Sequence, residues 1–295
     1  MTNYSPLRYP GGKGKLAPYF ATLLELNKLE GAHYAEPFAG GAAVALDLLF
    51  SERVRHIHIN DIDWSVYAFW KAVIDHTDEF VKKIQTTPVT VETWLAAREI
   101  KRETQNRDVM EVGFSTFFLN RTNRSGILNG GMIGGLSQEG DWKIDCRFNK
   151  DDLIQRIRRI GMFRRRITLT NLDASAFLAS HVPAIKPRSL IYIDPPYYVK
   201  GASLYQNHFV HADHVDLAEV VKAIERHSWV ASYDNVEQIR RIYSDCDQEQ
   251  FSIGYSARNY GRGSEVMIFG PETVHPERVF ASKAEQRAMS RSAAR

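Results

Sequence analysis

The sequence predicts an α/β fold: a doubly wound, mainly parallel sheet with helices on both faces, interrupted by a mainly helical insertion. Three observations lead there. β-rich runs alternate with amphipathic runs towards both ends of the chain, in the order strand, loop, helix. Turn-forming residues follow the apolar runs directly, as in "EPFAGG" and "IDPPY". Between about 75 and 160 the alternation loosens, and "FFLNRTNRSGILNGGMIGGLSQEGDW" is rich in the Asn, Gly, Arg and Ser of loops that offer polar groups to a ligand. The expected organisation is a sheet domain from 1–74 and 161–280, an insertion at 75–160, and a polar, small-residue tail at 281–295.

In chain order, "YPGGKGKL" breaks the backbone ahead of a helix whose apolar positions Leu16, Phe20, Leu23 and Leu24 share one face. "HYAEPFAGGAAVALDLLF" reads as a strand at 33–36, a Gly40-Gly41 turn and an apolar helix to about Phe50. "RHIHINDID" is a strand ending in acids, and "WSVYAFWKAVI" a helix that turns Trp64, Phe69 and Trp70 to the core. Beyond the insertion, "RITLTNLDASAFL", "SLIYIDPPYY", "HVDLAEVVKAIE", "SWVASYD" and "VEQIRRIY" restore the alternation, and "QFSIGYSA" with "SEVMIFG" forms a closing hairpin.

A chain of 295 residues is long enough for one large α/β domain with an insertion, and 44% hydrophobic with 25% charged residues is ordinary for a folded globular protein. No apolar stretch approaches the roughly 20 residues that span a bilayer. The start "MTNYSPLRYP" lacks the apolar core of a secretion signal, so a cytoplasmic protein with no membrane partner is expected. Cys146 and Cys246 show no CxxC spacing and are expected as buried free thiols rather than a disulfide or zinc site. A net charge of +3 permits nucleic-acid binding without demanding it. Six arginines at 156–166 either neutralise phosphates or form a solvated helix face around Ile157 and Ile160.

Ligands of open α/β sheets bind outside the carboxyl ends of the strands, and three such ends carry distinctive groups. In "EPFAGG" the glycines let backbone approach a ligand ahead of a helix N-terminus. Asp61 follows the second strand, where an acid accepts hydrogen bonds from ribose hydroxyls. "DPPY", 194–197, follows the fourth. There is no GxGxxG, and "GGKGKL" lacks both the spacer and the hydroxyl of a P-loop, which disfavours NAD(P) and ATP. A nucleoside ligand without a pyrophosphate remains, and S-adenosylmethionine answers that description.

"DPPY" then has a chemical reading. The exocyclic amine of adenine is a poor nucleophile because its lone pair is delocalised into the ring. Asp194 and the carbonyl of Pro195 can accept its two hydrogens, draw the nitrogen towards tetrahedral geometry and free the lone pair. Pro195 and Pro196 hold those acceptors still, and orientation supplies much of the rate of a direct transfer. Tyr197 offers an aromatic face for a base flipped out of a duplex. Ser232–Asp234 lies at the same rim as a turn or pocket wall.

"RYPGGK", "EPFAGG", "NDID", "FFLNRTNRSG" and "YIDPPY" occur in the order seen in the Dam-type DNA adenine-N6 methyltransferases (D12 class, alpha group), and the chain resembles that family over 6–270. The resemblance implies a Rossmann-like, S-adenosylmethionine-dependent sheet whose insertion recognises double-stranded DNA. The activity it implies is site-specific methylation of a flipped adenine by an enzyme with catalytic residues Asp194, Pro195, Pro196 and Tyr197. It implies a donor pocket built from Tyr9, Gly11, Gly12 and Lys13, from Glu36, Pro37, Phe38, Ala39, Gly40 and Gly41, from Asp61 and Ile62, and from Asp173, Ala174 and Asp194. Family members often carry Trp where Tyr9 stands, and a bulky aromatic where Ala174 stands. "FFLNRTNRSG" leads into DNA contacts in the family, which makes Arg121, Asn123 and Arg124 DNA-binding candidates. Beyond Gly126 the sequence departs from the best-known members. Arg258 and Arg262, in the loop between the closing strands, are further candidates for phosphate or base contact.

No metal is expected, since methyl transfer needs no Lewis acid, although His208, His211 and His214 have helical spacing. A cognate restriction or defence nuclease is a further expected partner. Two other readings stay open: cytosine-N4 methylation, which Asp194 disfavours because Ser often takes that place, and a non-catalytic DNA-binding defence or regulatory module on the same fold.

Overall fold

The computed structural model describes residues 4–9, 12–199, 209–254 and 262–276. Its centre is a mixed seven-stranded sheet: β1 (His33–Glu36), β2 (His56–Asn60), β3 (Ile167–Thr170), β4 (Leu190–Ile193), β5 (Ser228–Asp234), β6 (Asp247–Gly254) and β7 (Arg262–Phe269), in the spatial order β3-β2-β1-β4-β5-β7-β6. β1 to β5 run parallel, and β7 enters antiparallel between β5 and β6. The chain winds outward from β1 to β3, returns to β4 and winds outward the other way. The order therefore reverses between β1 and β4, the place where such sheets open a ligand crevice.

β4 reads as an unbroken apolar run because both of its faces are covered. Its side chains still alternate: Leu190 and Tyr192 join one core, Ile191 and Ile193 the other. The first core lies against α1 (Ala17–Leu26), α2 (Ala43–Phe50) and α3 (Trp64–Asp75), and contains Leu23, Leu49 and Phe69. The second lies against the short α8 (Ala174–Ala176) with its π turn, α9 (His211–Lys222) and α10 (Glu237–Ile242), and contains Leu217, Trp229 and Tyr243.

The connection from β2 to β3 carries α3, α4 (Thr77–Thr86), α5 (Val91–Arg102), α6 (Val109–Thr122) and α7 (Lys150–Met162). Local chemistry starts these helices: Thr90, Asp108 and Asn149 each accept a backbone N–H of the first turn. α6 is buried on nearly all sides, and Phe117 stacks on Phe69 of α3 with centroids 6.0 Å apart. Gly113 makes that approach possible, since a Cβ there would lie 2.5 Å from the carbonyl oxygen of Ala68. Phe117 and Ile157 belong to the same continuous core as Leu23 and Leu49, so no apolar boundary separates these helices from the sheet.

Several expectations are corrected by this packing. Trp64 is 38% exposed at the start of α3, while Phe69 and Trp70 are buried. Cys146 and Cys246 are half-buried free thiols rather than core residues. The arginine run divides: Arg156, Arg159 and Arg166 are half-buried and tie the chain together, donating to Ser5 O, to Phe50 O, and to the carbonyls of Val54 and Arg55 and Glu52 respectively, whereas Arg158, Arg164 and Arg165 are exposed. The closing strands do form a hairpin; Arg258 and the tail lie outside the described residues.

A histidine ladder crosses the rear of β1 and β2. His33 Nδ1 lies 3.0 Å from His58 Nε2, His58 Nδ1 lies 3.0 Å from His181 Nε2, and His56 Nε2 meets Thr168 Oγ1 at 2.8 Å. Burial, then the neighbouring His33 and Arg166, push His56 down to about 4; burial and the adjacent histidines push His58 down to about 3. The unfolded chain thus binds protons that the folded one refuses, and stability falls as pH drops from about 6.5 towards 4. His56→Gln is expected to flatten that slope in urea melts taken across this range. Gly113→Ala is expected to destabilise by about 1–3 kcal/mol, the usual cost of overpacking, in the same melts at neutral pH.

Candidate active site at the carboxyl rim of the sheet

Parallel pairing brings the ends of β1, β2, β4 and β5 to one rim, and the antiparallel β7 brings its beginning there, with Glu265 opposite Asp234. Asp194, the residue after β4, has a side chain 26% exposed at the point where the strand order reverses. Its Oδ1 accepts the Ser232 hydroxyl at 2.6 Å. The Tyr192 hydroxyl lies 2.8 Å from Ser232 Oγ, and because Ser232 directs its single hydrogen at Asp194, Tyr192 donates to Ser232. Burial pushes the Asp194 carboxyl up; Lys13 and Ser232 oppose it without cancelling it.

Lys13 arrives from the N-terminal segment and is buried. Its Nζ donates to both oxygens of Glu265 at 2.9 Å and to Tyr197 Oη at 2.9 Å, and lies 3.6 Å from Asp194 Oδ1. Burial works against the charge on Lys13, but Asp194 and Glu265 outweigh it and raise its pKa. Tyr197 Oη in turn donates to Glu265 Oε1 at 3.1 Å. Tyr197 is only 7% exposed, so the open aromatic face expected for a base is not presented; the phenol braces the lysine instead. The Asp234 carboxylate accepts the backbone N–H groups of Tyr198 and Val199, which fixes the chain leaving "DPPY".

The "EPFAGG" turn is equally constrained. Gly40 has φ +46°, and a Cβ there would fall 2.7 Å from the Tyr9 ring. Trp70 Nε1 donates to Gly40 O, and Gly40 N donates to Asp61 Oδ2. Asp61 Oδ1 accepts Asp63 N, so this acid cinches two loops, and burial pushes it up to about 7. Glu36 accepts Tyr34 Oη and Ala45 N, the latter in the first turn of α2, and burial pushes it up to about 8 against those two bonds. Ile62 is exposed; Asp173 is also exposed, capping α8 through Ser175 N and Ala176 N, and Ala174 is buried behind it. The carbonyl of Pro37 accepts Asn60 Nδ2, and Ala39 N donates to Asn60 O. Phe38 packs against the second core. Gly12 is exposed between Tyr9 and Lys13, and Gly11 lies outside the described residues.

The DNA-binding candidates divide. Arg124 is exposed. Asn123 is removed from the set: it is fully buried, its amide donating to the carbonyls of Ile127 and Leu128 and accepting from Trp94 Nε1. Arg121 donates to the Arg147 carbonyl through Nε, and burial lowers its pKa to about 10. Arg262 opens β7 opposite Gly254. Sequence reasoning missed Glu265, whose only signal is an acid inside the apolar strand "SEVMIF". It also missed Asn120, which clamps the backbone of Arg8 by accepting its N–H and donating to its carbonyl.

Two surface clefts, about 580 Å³ beside His211 and Lys222 and about 400 Å³ beside Arg188 and Arg226, are lined by none of Lys13, Asp194 and Glu265. Among the described residues no group of His, Cys, Asp and Glu is arranged to hold a metal ion; His208 lies outside them.

A Rossmann-like sheet with an acid-lysine-acid cluster at its switch point invites comparison with nucleoside-dependent transferases. The family model of the D12 class N6 adenine-specific DNA methyltransferases matches residues 9–260, and the chain belongs to that family. No protein of curated function matches it. Among solved structures, a candidate RNA methyltransferase of Pyrococcus horikoshii is similar with 12% identity over 90% of this chain and 87% of that one, at a TM-score of 0.42. The methyltransferase domain of a bacterial Hen1 protein is similar with 11% identity over 88% of this chain and 98% of that one, at a TM-score of 0.39. Likeness this distant says nothing of substrate.

Gly40→Ala is expected to cost about 1–3 kcal/mol, as a strained left-handed residue does, and to displace the Tyr9 ring. Thermal melting and a crystal structure of the variant check both.

Proposed function

We propose that the protein transfers a methyl group from S-adenosylmethionine to the exocyclic amine of an adenine flipped out of duplex DNA. The observation that carries this reading is Asp194 at the switch point, its side chain about a quarter exposed, fixed through one oxygen by Ser232 and followed by two prolines. Its other oxygen, Oδ2, accepts no hydrogen bond from a described residue and is free to take a hydrogen from the amine. The Pro195 carbonyl takes the second. Together they shift the nitrogen's lone pair out of conjugation, and their rigid placement supplies the orientation that direct transfer needs.

The rim suits an adenosyl donor. Gly40 leaves no room for a side chain beside Tyr9, the exposed Ile62 and Leu172 offer apolar surface, and Asp61 and Asp173 stand next to them in sequence. The residues proposed to hold the donor are Tyr9, Lys13, Gly40, Asp61, Ile62 and Asp173. S-adenosylmethionine bound there supplies a methyl group activated by its sulfonium. Tyr197 enters this reading as the brace of Lys13.

We read 75–160 as the target-recognition segment. Support comes from the end of α6, where Asn120 holds Arg8 just ahead of Tyr9 and Lys13, so the helices adjoin the rim. Arg124, exposed beside that clamp, is suited to a phosphate. No helix among the described residues is long and apolar enough to cross a membrane.

Incubation with labelled donor and mixed-sequence duplex DNA, followed by digestion to nucleosides, is expected to yield N6-methyladenine; label only in N4-methylcytosine, or none in DNA, would overturn the reading. Asp194→Ala is expected to lower kcat by at least about a hundredfold, as loss of a positioned acid-base group does, with duplex affinity retained.

A further inference from the structure

The two oxygens of Asp194 have unequal neighbours. Oδ1 holds the Ser232 hydroxyl and faces Lys13 Nζ at 3.6 Å, whereas Oδ2 has no hydrogen-bond partner among the described residues. An ammonium so near a carboxylate ordinarily closes to about 2.8 Å. Glu265 stands in the way of that closure. Both its oxygens lie 2.9 Å from Lys13 Nζ, and its Oε1 also accepts the Tyr197 hydroxyl. Glu265 is 2% exposed and sits in β7 at the pair position of Asp234, so the sheet fixes its place.

We infer that Glu265 is a positioning residue for the transfer: by taking the hydrogen bonds of the Lys13 ammonium, it holds that cation 3.6 Å from Asp194 Oδ1, as an ion pair short of a full hydrogen bond, and leaves Asp194 able to accept hydrogen from the target amine. The inference rests on the proposed role of Asp194. It follows from charge and geometry. One ammonium between two carboxylates leaves a net negative charge at the rim, and the better hydrogen-bonded acid claims the cation. Without Glu265 the same ammonium closes on Oδ1 and neutralises the carboxylate, which weakens Oδ2 as an acceptor for the amine. Tyr197 is a second tether for Lys13 and is bonded to one of the same Glu265 oxygens.

The test is Glu265→Gln, which keeps the size and an acceptor but removes the charge. A crystal structure of the variant is expected to show Lys13 Nζ drawn from 3.6 Å to about 2.8 Å from Asp194. In solution kcat on DNA is expected to fall about a hundredfold, the scale of a positioned acid-base group, with the KM for DNA and the donor affinity by calorimetry little changed. At saturating donor, which compensates for the lost donor contact of Lys13, the double variant Lys13→Met, Glu265→Gln is expected to have a kcat no lower than that of Glu265→Gln, because Lys13 is the agent of the damage. Lys13 remaining apart from Asp194 in the crystal, an unchanged kcat, or losses that multiply in the double variant would overturn the inference. Should Glu265→Gln fail to fold, Glu265→Asp retains the anion and is expected to keep most of kcat; a folded but inactive Glu265→Asp would equally overturn it. An inactive parent enzyme would sink the transferase reading alone, since the position of Lys13 in the variant crystal judges the role of Glu265 without turnover.

Discussion

A buried lysine shared by two acids is the interaction on which the rim depends. Removed from water, an ammonium loses its proton and two facing carboxylates repel, so none of Lys13, Asp194 and Glu265 is stable there alone. Together they are, and Lys13 stays charged. The cation joins the N-terminal segment, the end of β4 and the start of β7, and the remaining polar contacts are arranged around it. Ser232 and Tyr192 orient one acid, Tyr197 the other.

The same logic of buried polar groups answered from a distance recurs at the "EPFAGG" turn. Asp61, Glu36 and Trp70 each satisfy a backbone group of another loop or helix, so the turn is held from three sides. Asn120 does this for Arg8, and thereby links the helices between β2 and β3 to the carboxyl rim of the sheet. Those helices share their core with the sheet, and their position relative to the rim is set by packing rather than by a hinge.

Much of this was legible beforehand because it is local. Alternating apolar runs marked the strands, and two prolines after "LIYI" marked a strand end with rigid acceptors. What was not legible depends on partners far off in sequence. Asn123 lies in a stretch as polar as any DNA-contacting loop, but Trp94 and its own turn bury it. Tyr197 looks like an open platform until Lys13, 184 residues away, is brought against its hydroxyl. Glu265 looks like an anomaly within a strand until antiparallel pairing sets it beside Asp234. The arginines before β3 have the density of a phosphate-binding patch, and only the carbonyls that Arg156, Arg159 and Arg166 meet show that these three serve packing.

The pairing of Lys13 with Glu265 spans 252 residues. A ribosome delivers the chain from its N-terminus, so β1 to β4 can assemble while the partner of Lys13 is still unmade. Until β7 slots between its neighbours, Lys13 has Asp194 to face and lacks Glu265. The rim therefore reaches its final arrangement of charge only after β7 has joined the sheet.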